Sequence, residues 1–165
     1  EGLTDPADRP VITALLHNIR SLWNVGSMFR TADGAGIDHI YLTGYTATPE
    51  HPKMTKTALG AEQAVAWTSW RDGVELARGL REAGCRLWAL ELGEGAVPLF
   101  DVGGVPAGGP IVLVFGHEVD GVDPEIHALC ERTLYIPMAG MKESLNVAVA
   151  FGIATYHICH LPLIP

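Results

Sequence analysis

Three short clusters of polar side chains and glycines interrupt otherwise apolar runs, and they hold most of the residues in this chain that could do chemistry. The first is Asn24-Val25-Gly26-Ser27-Met28-Phe29-Arg30-Thr31-Ala32-Asp33, the second Phe115-Gly116-His117-Glu118, and the third runs from 136 to 146 and includes Ser144 and Asn146. They offer a guanidinium, an ammonium, two amides, an imidazole and several hydroxyls and carboxylates, each a hydrogen-bonding group with a fixed set of donors and acceptors. Each also has a plainer use. Asn24 directly ahead of an amphipathic stripe suits an N-cap, its oxygen meeting a free backbone N–H. Arg30 and Asp33 are spaced i, i+3, a surface pair worth about 0.2–0.5 kcal/mol. His117-Glu118 is half of a zinc-binding H-E-x-x-H, but position 121 is Gly, so the second imidazole is missing and no metal is expected. Ser144 and Asn146 suit the start of a helix.

The elements that must position these clusters read as alternating strands and helices. Strand-like runs lie at 40–43, 64–67, 86–92, 111–116 and 133–137. Val25, Met28, Phe29 and Ala32 fall at i, i+3, i+4 and i+7, one apolar stripe of a helix, with Arg30 projecting from roughly the opposite face. A second helix, 72–83, carries Val74, Ala77 and Leu80 on one side and stops at Gly84, a left-handed cap position. A third is capped by Asp123 with Pro124 in its first turn and is expected to end near Glu131. The segment 92–110, rich in Gly and Pro, reads as a long surface connection. The last helix, 145–158, is apolar on every side and must be covered all round, as a central core helix or as one shared with another subunit. Strands joined by helices give the expected class: an α/β fold with a mostly parallel sheet and helices on both faces. The unbroken apolar run 111–115 fits a strand in its middle.

Composition narrows the function classes. The chain has 165 residues, 48% hydrophobic and 18% charged, which suits one globular domain. Eleven basic against nineteen acidic residues give a net charge of -8, so a strongly basic protein that coats nucleic acid is excluded. Five of the basic residues precede Gly60, whereas most of the acidity follows it. Cys85, Cys130 and Cys159 are odd in number and unpaired in spacing, which points away from a disulfide framework and towards a reducing cytoplasm. Residues 1–10 are polar and acidic, without the pattern of an export signal. The apolar run 145–159 is shorter than the ~20 residues that span a bilayer, so no membrane role is expected. No strand is followed by G-x-G-x-x-G with a ribose-binding acid further on, so a nicotinamide-dependent oxidoreductase does not fit.

In this order the clusters resemble the motifs of the SpoU, or TrmH-like, branch of the SPOUT RNA methyltransferases. Asn24-Val25-Gly26 with Arg30-Thr31-Ala32-Asp33 is similar to the first motif and Leu113-Val114-Phe115-Gly116-His117-Glu118 to Gly121 to the second. Ile136-Pro137-Met138 with Glu143-Ser144-Leu145-Asn146-Val147-Ala148-Val149-Ala150 is similar to the third. Lys56-Thr57-Ala58-Leu59-Gly60-Ala61-Glu62 resembles a further stretch common in these enzymes, and the likeness covers nearly the whole chain.

The resemblance implies a C-terminal deep trefoil knot, a topology that general folding rules would have excluded. It implies one methyltransferase domain over 1–165, without a separate RNA-binding extension. It also implies S-adenosylmethionine as cofactor, bent into loops after Leu90, Gly116 and Ile136, with Leu90, Glu91, Gly116, Ile136, Met138 and Leu145 as binding residues. Glycine at 116 would let the adenosine approach the backbone. The implied reaction is methyl transfer to a ribose 2′-hydroxyl of tRNA or rRNA, without metal, by Asn24, Arg30, Glu118, Ser144 and Asn146. A guanidinium stays charged, so Arg30 is expected to bind phosphate and stabilise a developing alkoxide. Asn24 would orient Arg30 or the ribose, and Glu118 would fix Arg30 or a backbone donor. A homodimer is implied, each site combining the first motif of one subunit with the knot of the other. The acidic composition departs from many relatives and leaves Arg9, Arg20, Arg30, Lys53, Lys56 and Lys142 to meet RNA. The alternative is a non-catalytic RNA-binding or assembly protein on the same scaffold, which would not need the whole polar set.

Overall fold

The computed structural model describes residues 9–165; residues 1–8, most of the polar opening segment read above for an export signal, lie outside them. The chain runs β1 (Ile12–His17), α1 (Leu22–Ala35), β2 (His39–Thr43), α2 (Thr55–Ala58), α3 (Ala61–Ala64), β3 (Trp67–Trp70), α4 (Gly73–Glu82), β4 (Arg86–Leu90), β5 (Val97–Pro98), β6 (Val105–Pro106), β7 (Ile111–Phe115), α5 (Pro124–His127), β8 (Arg132–Tyr135), α6 (Val147–Cys159) and β9 (Leu163–Ile164). Seven strands form one sheet in the order β3-β2-β1-β7-β4-β8-β5, every neighbouring pair parallel; β6 and β9 make a separate parallel pair.

Both faces of the sheet are buried, and the side-chain alternation of each central strand divides between them. Ile12, Ala14 and Leu16 of β1 and Ile111, Leu113 and Phe115 of β7 pack under α1 and α6, against Met28, Phe29, Phe151 and Ile158. Leu15, Val112 and Val114 point the other way, with Leu87 and Ala89 of β4, to meet Ala77 of α4 and Ile126 of α5. The expected α/β architecture with helices on both faces is therefore present.

Several local expectations change. β1 has no counterpart among the expected strands, because Thr13 and His17 interrupt its apolar run. Both polar groups are buried and satisfied: Thr13 Oγ1 donates to the Ile111 carbonyl at 3.1 Å, and His17 Nδ1 lies 2.8 Å from Thr43 Oγ1. The strand expected over 64–67 begins only at Trp67, since residues 61–64 form α3. The cap of α1 is Ser21, whose Oγ accepts the Asn24 amide at 3.2 Å, so Asn24 lies inside the first turn with its side chain free for other partners. Asp123 and Pro124 start α5 as expected, but the helix ends at His127 and continues only as tight turns until Glu131 N–H joins the Leu87 carbonyl. The segment 92–110 is more than a surface connection: Leu99, Val102 and Val105 are buried and it contains β5 and β6. Of the two readings of α6, a central core helix covered within one chain is not what forms, which leaves the one in which the helix is shared with another subunit. Phe151, Ala154, Thr155 and Ile158 are buried, whereas Val149 and Tyr156 are about half exposed.

Candidate functional site

In a parallel sheet the loops at the carboxyl ends of the strands share one edge, and ligands collect there. The three clusters meet at that edge. Glu118, just beyond β7, reaches the start of α1: its Oε2 accepts the Arg20 N–H at 3.1 Å and its Oε1 the Ser21 N–H at 3.2 Å. The same Oε1 accepts Asn24 Nδ2–H at 3.3 Å, and Asn24 Oδ1 accepts from Asn146 Nδ2 at 3.4 Å. Asn146 in turn caps α6, its Oδ1 taking the Ala148 N–H at 2.9 Å. One hydrogen-bonded chain thus joins residues 24, 118 and 146. With both ends of its amide engaged, the 94%-buried Asn24 has a fixed orientation.

Of the two kinds of partner expected for Glu118, the structure shows the backbone donors, at Arg20 and Ser21, and not Arg30. Asn24 is held by Glu118 and Asn146 and makes no hydrogen bond to Arg30 among the described residues. Arg30 projects from α1 into solvent and makes no ion pair among the described residues. The i, i+3 pairing with Asp33 does not form.

Burial raises the Glu118 pKa, but the N–H donors at Arg20, at Glu118 itself, at Ser21 and at the Asn24 side chain outweigh it, leaving the carboxyl below its ordinary value. A depressed carboxylate adds stability that is complete above the ordinary value and disappears as pH falls through the lower, folded one. Glu118→Gln should therefore melt below wild type at neutral pH, and the gap should close as acid protonates the wild-type carboxyl. Thermal melts across pH, compared between the two proteins, measure this; a gap that is constant with pH would rule out the clamp.

Beside the chain lies a cavity of about 360 Å³, walled by the loops after β4, β7 and β8 and by the start of α6. Leu90, Glu91, Gly116, Ile136, Met138 and Leu145 all line it, as do Glu118 and Ser144; Asn24, Arg30 and Asn146 do not. Its volume is that of a small-molecule site. Its lining includes Glu91, Glu118 and Glu143 but no lysine or arginine, a field suited to a cationic ligand.

Two lining residues serve the walls themselves. A Cβ at Gly116 would overlap the Gly121 carbonyl and lie 2.5 Å from Val122 Cα. Glycine is needed there so that the loop 116–122 can fold back on its own strand, where His117 and Gly121 bridge, a requirement independent of any ligand. Gly121 itself has φ +76°, and Glu91 Oε1 sits against it and accepts the Val122 N–H at 3.1 Å. Glu91 is thus a brace for this loop as well as a wall. The lining also holds His117 and Ala150, which lie inside the second and third motifs but carried no expected binding role, and Tyr135, which the sequence marks only as part of a strand.

Burial pushes the Cys130 and Cys159 thiols up to about 12, so neither is a ready nucleophile. Among the described residues no group of three or more His, Cys, Asp or Glu side chains is placed to hold a metal ion. No described helix is long and apolar enough to cross a membrane.

Known proteins match this chain in sequence and fold. A crystal structure of an AdoMet-bound rRNA methyltransferase from Sinorhizobium meliloti superposes with a TM-score of 0.82 at 29% identity, over 90% of this chain and 56% of that one. A Thermus thermophilus tRNA (guanosine(18)-2′-O)-methyltransferase is 32% identical over 148 residues, 90% of this chain and 74% of its own length. A Bacillus subtilis 23S rRNA (guanosine(2553)-2′-O)-methyltransferase is 32% identical over 144 residues, 87% of this chain and 56% of its own. The chain spans about half the length of several curated relatives that it matches. The model of the SpoU rRNA Methylase family matches residues 12–156, all three motifs included, and the chain belongs to that family.

Proposed function

We propose that this chain is an S-adenosylmethionine-dependent methyltransferase domain that modifies a ribose 2′-hydroxyl of tRNA or rRNA in the cytoplasm, with residues 1–165 as one unit. The observation that carries the reading is the acidic, largely apolar cavity at the carboxyl edge of the sheet, joined through Glu118 to a fixed polar chain. The residues fit the cofactor: carboxylates suit its positive charge, and Leu90, Ile136, Met138 and Leu145 suit an apolar ring. When bound, S-adenosylmethionine supplies an electrophilic methyl group on a sulfonium.

The chain's own residues then have separate tasks. The Glu118 clamp and Asn146 hold Asn24, and with it the start of α1, in one geometry against the cavity. Ser144 supplies a hydroxyl at the rim. Arg30, always charged, binds an RNA phosphate and stabilises the alkoxide that develops at the 2′-oxygen, while a phosphate oxygen or water takes the proton. Because Arg30 is absent from the lining of its own cavity, the working site is assembled in a homodimer, Arg30 of one protomer serving the cavity of its partner. The half-exposed Val149 and Tyr156 on the otherwise apolar α6 support the same arrangement. A knot formed by the segments carrying the second and third motifs completes the proposed fold.

Calorimetry with S-adenosylmethionine, followed by methyl transfer to RNA from cells lacking the gene, tests the activity. Binding with ribose methylation is expected; a folded protein that binds RNA but neither binds cofactor nor transfers methyl groups would favour the scaffold role instead. Mixing Arg30→Ala protomers with cavity-blocked Ile136→Trp protomers tests the sharing. Activity should reappear in the mixture, since one site then combines an intact arginine with an intact cavity, and an inactive mixture would refute a shared site.

A further inference from the structure

At the same edge of the sheet one exposed aromatic side chain stands on a tethered stretch of backbone. Tyr45, in the loop after β2, is 57% exposed, yet its backbone is fastened to the loop after β1. Its N–H donates to Asn18 Oδ1 at 3.1 Å, and Asn18 adopts φ +55°, a left-handed conformation that asparagine tolerates better than most residues. Gly44 makes this possible, since a Cβ there would overlap the Asn18 oxygen. Next to it, Thr46 Oγ1 donates to the Leu16 carbonyl and accepts the Ile19 N–H, both at 3.0 Å. A backbone tied down at each side of an exposed ring has already lost the freedom that binding would otherwise cost.

The ring meets His117 edge to face, with centroids 6.4 Å apart. His117 Nδ1 accepts the N–H groups of Val119 at 3.1 Å and Asp120 at 3.0 Å, so that nitrogen is unprotonated and the proton sits on Nε2. The Asp120 carboxylate lies 3.5 Å from the same Nδ1. Nε2–H makes no hydrogen bond to protein among the described residues and is open to solvent, while most of the side chain is buried and lines the cavity. The loop geometry therefore fixes a single tautomer and leaves one unpaired donor beside an exposed aromatic face, one residue from Glu118.

We propose that Tyr45 and His117 form the nucleobase subsite of the RNA substrate: a base of the single strand stacks on Tyr45, and His117 Nε2–H donates to an acceptor on that base or on its ribose. The inference rests on the proposed RNA methyltransferase function and adds how an acidic chain grips RNA. Stacking needs no positive charge, and every base has a face.

The test uses the intact protein and two fluorescein-labelled probes, nonauridylate RNA and an abasic ribose-phosphate chain of equal length, with cofactor calorimetry on each variant. Wild type should bind nonauridylate about tenfold more tightly than the abasic chain, the usual scale for one stacked base. Tyr45→Ala should remove most of that preference without altering affinity for the abasic chain, and Tyr45→Phe should restore it. His117→Asn keeps a short-range acceptor for the Val119 and Asp120 amides and lacks Nε2–H, so it should lose part of the preference. Because His117 also lines the cavity, the decision rests on the Tyr45 variants, whose ring lies outside that lining. A wild type without base preference, or a Tyr45→Ala protein that keeps it, overturns the subsite. A wild type that fails to bind cofactor would instead strike at the methyltransferase reading itself.

Discussion

Arg30→Ala should lower single-turnover methyl transfer by about 10² to 10³, the loss typical of removing one preorganised electrostatic donor, while leaving cofactor affinity and melting temperature near wild type. The separation follows from position. The stripe Val25, Met28, Phe29 and Ala32 is fully buried, and Arg30 leaves α1 on the exposed side, outside the cavity lining and without an ion pair among the described residues. Removing it takes nothing from the core. Arg30→Lys should retain intermediate activity, since the charge stays but the planar fork that grips phosphate is lost. A base role would predict the reverse order of importance, with geometry irrelevant and the proton-accepting group decisive. Transfer at the wild-type rate in Arg30→Ala, or loss of cofactor binding in that variant, would refute the assignment.

Gly116→Ala should be the most damaging single methyl group that can be added near the cavity. The new carbon would overlap the Gly121 carbonyl and sit 2.5 Å from Val122 Cα, both backbone, so relief requires moving the loop. Overpacking of this kind costs about 1–3 kcal/mol, which at this chain length lowers the melting temperature by roughly 2–12 °C. Cofactor affinity should fall with it, because 116–122 is a wall of the cavity. Gly140→Ala is the matched control: nothing lies within 4 Å of its added carbon and its φ is not left-handed, so stability should change by no more than about 0.5 kcal/mol. Equal melting curves and equal cofactor isotherms for Gly116→Ala and wild type would show that the loop can yield.

What the sequence reveals and conceals has a physical pattern. Apolar periodicity exposes α1 and α4, and unbroken hydrophobicity exposes β7, because each buries a whole face. The polar clusters are legible as a set, since Asn24, Glu118 and Asn146 would be wasteful singly and form one hydrogen-bonded chain together. β1 is hidden by Thr13 and His17, whose partners, Ile111 and Thr43, are remote in sequence. The purpose of Gly116 is hidden for a similar reason. Its neighbour in space is Gly121, and only the folded loop shows that the missing side chain makes room for backbone. Partner choice inside the polar chain is likewise a matter of tertiary distance, which is why the sequence leaves Glu118 between Arg30 and a backbone donor and only the fold assigns it to the amides of Arg20 and Ser21.

The strand order has a consequence for synthesis. β7 lies between β1 and β4, pairing Ile12 with Ile111 on one side and Arg86 with Ile111 on the other. A ribosome releases β1 and β4 well before β7 exists. Until then the emerging polypeptide carries two apolar strands, each with an open edge where its central neighbour belongs, and such edges invite pairing with other chains. The sheet's middle is therefore completed late, by a single insertion, after which β8 and α6 can close the remaining walls. Growing polypeptides stalled before Ile111 are the ones that most need shielding by a chaperone.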